Sequence, residues 1–143
     1  MNRSDNEYAF FTVLSMDDVW KELKKHMYPN KKSSSLASYR DGDIAAYYGY
    51  LSLIKENTSL TFTKEAMNFA AMNGHLDVVK WLHENRKEGC TINAMDWGAK
   101  FGHLDIVIWL HDNRTEGCTT NAMDWAGGYG HLEVVKWLDR FCS

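Results

Sequence analysis

The strongest constraint on this chain is internal. Residues Ala66 to Asn93 align with Ala94 to Asn121 without a gap, and 18 of the 28 positions are identical. Self-similarity at a period of roughly 20 to 50 residues marks tandem supersecondary units that stack on one another. A third copy opens at Ala122 and runs to Ser143, so that Gly74-His75-Leu76, Gly102-His103-Leu104 and Gly130-His131-Leu132 recur at constant spacing. A weaker copy precedes them: Ala45-Ala46-Tyr47-Tyr48-Gly49-Tyr50-Leu51 aligns with Ala70-Ala71-Met72-Asn73-Gly74-His75-Leu76. Four units result, the first degenerate and the last shortened.

Inside one unit the apolar positions follow a helical period, with Leu104, Val107, Trp109 and Leu110 on one broad stripe. Gly102 breaks the helix before them. Asn93 is expected to cap a short first helix through its side-chain oxygen, with Asp96 near the positive end of its dipole; Asn121 and Asp124 repeat the arrangement. Each unit therefore reads as a helix of about two turns, a tight Gly-His turn, a longer helix ending near Asn113-Arg114, and a loop from Thr115 to Thr120. A single hairpin cannot cover its own apolar face, so neighbours must stack. The expected fold is an all-α, helix-turn-helix solenoid of about four repeats with an N-terminal helical cap. Its units fall at about 39–62, 63–90, 91–118 and 119–143, after a helix and linker over 1–38.

The run Asn121-Ala122-Met123-Asp124-Trp125-Ala126, then Gly130-His131-Leu132-Glu133-Val134-Val135 followed by Lys136-Trp137-Leu138, resembles the ankyrin repeat, and the resemblance covers about residues 42 to 143. The usual ankyrin period is about 33, and Ala-Met-Asp stands here where the family has Pro-Leu-His. The missing residues fall in the loop between repeats, which implies a shortened or absent projecting finger. This tryptophan-rich, short-loop version is similar to repeats common in giant viruses of amoebae and in some protists. The resemblance implies a protein partner held on the concave face, and it places the two residues before each turn glycine on that face.

Composition narrows the function further. The net charge is −3, and residues 41–143 carry nine Lys/Arg against fourteen Asp/Glu. No basic stripe of the kind that neutralises phosphates is present, so nucleic acid is not an expected partner. The cluster Lys24, Lys25, Lys31 and Lys32 reads as a solvated helix end and loop. No run approaches the roughly 18 apolar residues of a bilayer span, and Met1 to Asn30 lacks the basic-then-apolar order of a leader. No membrane association is expected, and the expected compartment is the cytosol or nucleus, or the host cytoplasm for a viral chain.

No residue set points to catalysis, a cofactor or a metal. His75, His103 and His131 recur one unit apart, and stacked helices sit about 8 to 10 Å apart, too far to share one ion. They read as turn residues. His83 and His111 read as solvated, with no nucleophile at a matching spacing. The same separation keeps Cys90 from bridging Cys118, and Cys142 leaves an odd count of free thiols. Phe69, Trp97 and Trp125, with Trp81, Trp109 and Trp137, recur at helical spacing and read as core wedges between hairpins. On that reading Trp109→Ala should cost about 3–5 kcal/mol.

Stacking dictates the positions that repeat, so a partner is to be sought where the copies differ. The pair before each turn glycine reads Met72-Asn73, Lys100-Phe101 and Gly128-Tyr129. Phe101 and Tyr129 are the expected anchors, two rings about 10 Å apart, with Lys100, Met72 and Asn73 around them. Ile108, where the other copies have lysine, is a minor candidate. The last helix keeps Val135, Trp137 and Leu138 without a following repeat, which opens self-association, or cover by the Phe141-Cys142-Ser143 tail, as alternatives. At the other end, Met16 to Met27 reads as one amphipathic helix stopped by Tyr28-Pro29. It is assigned as the cap of the solenoid, with a ubiquitin-ligase recruiting element as a further alternative.

Overall fold

Threonine, not asparagine, starts the first helix of each regular unit. The structure, a computed structural model, describes residues 42–142. Its helices are α1 (Gly42–Tyr48), α2 (Leu51–Glu56), α3 (Lys64–Met72), α4 (Leu76–Asn85), α5 (Ile92–Lys100), α6 (Leu104–Asn113), α7 (Thr120–Gly128) and α8 (Leu132–Phe141). The described residues form an all-helical array of four hairpins. Residues 1–41 lie outside the description, and with them the helix expected over Met16 to Met27 and the lysine cluster. No helix among the described residues is long and apolar enough to cross a membrane.

Thr91 Oγ1 accepts the Asn93 backbone N–H at 3.1 Å, and Thr63 and Thr119 serve Glu65 and Asn121 in the same way. Asn93 and Asn121, expected as caps, are instead the second helical residues, whose N–H groups are among the orphan donors that a cap must satisfy. Each first helix ends in a glycine with positive φ, +81° at Gly74 and +80° at Gly102. That left-handed region admits glycine without strain and lets the chain reverse into the second helix. The close approach of the next unit also demands it, because a Cβ on Gly102 would stand 2.5 Å from the His131 ring.

The core is aliphatic. Val78, Val79 and Leu82 of α4, and Ile106, Val107 and Leu110 of α6, are at most 3% exposed, and Ala70, Ala71 and Ala99 are fully buried. The tryptophans read as core wedges are only half-buried. Alanine and glycine on α3, α5 and α7 allow these first helices to pack directly on one another in a row. The second helices mainly contact their own hairpin partner. The first helices therefore form the continuous row that joins one hairpin to the next.

Identical links join successive hairpins. Asp43 Oδ1 accepts the Thr63 N–H at 2.7 Å; Asn68 and Thr91, and then Asp96 and Thr119, repeat the contact at 3.1 and 2.8 Å. The residue that caps one helix is thereby held by the helix before it. His75 Nε2 lies 3.1 Å from the Tyr47 carbonyl and His103 Nε2 3.1 Å from that of Met72, each ring covering the turn glycine of the preceding unit. These histidines are packing residues of the turn.

Candidate functional site

Residues three and four apart on a helix share a face, so Trp97 and Lys100 of α5 project together with its C-cap residue Phe101, as do Trp125 and Gly128 of α7 with its C-cap residue Tyr129. Along the first-helix row, rings of successive units meet one another. Tyr47 meets Phe69 edge-on at 5.8 Å, and Phe69 stacks on Trp97 at 6.1 Å with only 6° between planes. These rings pack between successive units as expected, but at the rim of the core, because they are only half-buried. That corrects the burial expected of Phe69, Trp97 and Trp125 as core wedges.

The two expected anchors are close neighbours. Phe101 and Tyr129 are 44% and 61% exposed, and their ring centroids lie 6.4 Å apart at 34°. The separation is below the roughly 8–10 Å typical between the axes of packed helices. Lys100 joins them. Its Nζ lies 5.1 Å from the Trp125 centroid, 5.4 Å from Phe101 and 5.7 Å from Tyr129, within the range at which a ring face attracts a cation. The sequence had placed Lys100 beside the site but missed Trp125. Helical spacing puts Trp125 on the face of Tyr129, four residues on, but its contact with Lys100 follows only from the stacking of α7 on α5.

Met72 and Asn73, the other two expected site residues, occupy the same row one unit earlier. Both are half-buried, and Asn73 Nδ2 donates to the Tyr47 carbonyl at 2.9 Å, riveting α3 to α1. Asn73 is therefore part of the frame on which the ring pair sits. Ile108 is half-buried on α6, in the other row.

The second-helix row has its own periodic contacts. His83 meets the Trp109 ring edge-on at 5.1 Å, and His111 does the same to Trp137. Both rings touch a neighbouring unit; His83 is half-buried there, contrary to the solvated role expected of it, whereas His111 stays exposed as expected. In the loops, Arg114 pairs with Glu116 and holds that carboxyl below the usual carboxylate range, while Arg86 pairs with Glu88 at 2.5 Å. The repeated Arg-x-Glu spacing carried this signal. Phe141 folds against Trp137 at 5.0 Å and still remains 50% exposed.

Cys90, Cys118 and Cys142 are all free thiols. Burial pushes the Cys90 thiol up to about 11 and, with a hydrogen bond to Cys142, the Cys118 thiol up to about 12. Both stay protonated at neutral pH, and the thiol is a poor nucleophile beside the thiolate. Among the described residues no three His, Cys, Asp or Glu side chains come together in a way that could hold a metal ion.

A family model described as ankyrin repeats (many copies) matches residues 67–111 and again residues 95–138. The chain belongs to the ankyrin-repeat family. No curated protein and no solved structure matches it. Ankyrin repeats are in general protein–protein interaction modules. In this ankyrin array the first-helix row, with its exposed rings, is the face on which copies of the repeat differ most in character.

Proposed function

We propose that the chain recognises a protein partner through the first-helix row of its ankyrin array, with Phe101 and Tyr129 as anchors and Lys100, Met72 and Asn73 around them. The observation that carries this reading is the pair of large exposed rings in mutual contact at positions that stacking leaves free to vary. Buried aromatic anchors dominate the energy of most protein interfaces. The array presents them pre-organised, so little ordering entropy opposes association.

Phe101→Asp combined with Tyr129→Asp tests the proposal. Both side chains are exposed, so unfolding stability should change by no more than about 1 kcal/mol. Affinity capture from the native host should lose the partner that the wild-type chain retains. Retention of that partner by the double variant would move the site elsewhere.

Self-association is the second reading, and the last hairpin supports it. Asp124, Gly130 and Leu132 occupy positions that the stacked face presents in each unit, and all three are exposed, Leu132 by 65%. Light scattering over a wide concentration range separates the two readings, because assembly through α7 and α8 raises the mean mass with concentration.

A further inference from the structure

Lys100 is a half-buried cation set among three rings. None of the ion pairs among the described residues includes it. It is also the sole basic residue in the last turn of α1, α3, α5 and α7. The first-row helices also carry acids: Asp43 accepts from Thr63, Glu65 stands in the first turn of α3 and Asp124 is exposed on α7. Asp96 is consumed by Thr119, while Asp77, Asp105 and Glu133 stand in the first turns of the second-row helices.

Resting on the reading of the first-helix row as the binding face, we infer that the partner segment carries a carboxylate next to a large apolar side chain. The apolar group covers the Phe101 and Tyr129 rings, and the carboxylate meets the Lys100 ammonium between them. Three ring faces hold that ammonium in place, so its contact with an anion sacrifices little side-chain freedom. The aromatic surroundings lower the local dielectric once the apolar group excludes water, which strengthens the pairing.

Competing chemistries fit less well. A basic segment would have to displace Lys100 from its ring cradle and would meet its like charge. A run of many acids would find no second cation to meet, since Lys100 is the sole basic residue in the last turns of the first-row helices. At physiological ionic strength charges beyond about 8 Å are largely screened, so one carboxylate close to Lys100 is favoured where a long acidic tract is not.

Panning a random dodecapeptide library on the full chain tests this inference. Enriched peptides should carry Asp or Glu within two residues of Phe, Leu, Trp or Tyr. A synthetic, fluorescein-labelled copy of the enriched peptide should bind Lys100→Met about tenfold more weakly, and more weakly still to the Phe101→Asp/Tyr129→Asp chain. Methionine occupies the equivalent position at Met72, so the variant suits the fold. Lys100→Arg should restore binding, and replacing the peptide carboxylate by its amide should weaken binding to wild type but not to Lys100→Met. Enrichment of basic or uncharged peptides that still need the two rings would overturn the inference and leave the binding face standing. Enriched peptides indifferent to the rings, or no enrichment, would overturn both.

Discussion

Replacing Leu110 by alanine should lower the unfolding free energy by about 2–5 kcal/mol, while Trp109→Ala, one residue away, should lower it by less. Leu110 is 1% exposed and sits wholly inside the stack of α6 on its neighbours. Its truncation leaves a void whose walls are rigid helices and cannot collapse to fill it. Trp109 is half-buried, with His83 against its ring at 5.1 Å, so its truncation exposes surface to water and creates no sealed cavity. Against a total stability of about 5–15 kcal/mol, the Leu110 change alone should unfold a measurable fraction of the chain. Urea titration of the two variants, read by helical circular dichroism, checks the order. A larger loss for Trp109→Ala would show that the indoles carry the core after all.

Recurrence in the sequence made the hairpins, their turns and their count plain, and the same recurrence misled about the tryptophans. A period of 28 residues shows that an environment repeats, but not whether that environment is dry. Ala70, Ala99 and Val107 are as periodic as Trp97, and only packing tells which of them the neighbouring unit covers. The cap was ambiguous for a similar reason. Thr91 and Asn93 both recur at constant spacing and both suit a helix start, and the choice fell to the threonine because Asn68 of the previous unit grips it. The ring pair was legible because Phe101 and Tyr129 depart from the repeat. The seat of Lys100 was not, since Trp125 belongs to the following hairpin, and reaching it requires the stacking distance as well as the residue order.

Asp96→Ala should destabilise the array by about 2–3 kcal/mol, whereas Asp96→Asn should stay within about 1 kcal/mol of wild type. Asp96 is 1% exposed and accepts both the Thr119 N–H at 2.8 Å and the Thr119 hydroxyl at 2.5 Å. Removing the carboxylate strands those donors and frees the residue that caps α7. The amide has an internal precedent: Asn68 Oδ1 accepts the Thr91 N–H at 3.1 Å while its Nδ2 donates to Thr91 Oγ1 at 3.0 Å. One unit of this chain already runs on asparagine. The loss in Asp96→Ala should be local, because α7 and α8 form the last hairpin and have a neighbour on one side only among the described residues. Amide hydrogen exchange should therefore speed up across α7 and α8 before it does in α3 to α6. Since α7 positions Trp125 and leads directly into Tyr129, the same substitution should weaken partner binding without touching an anchor. Uniform protection along the array in Asp96→Ala would mean that the hairpins are not joined through the Asp96–Thr119 link.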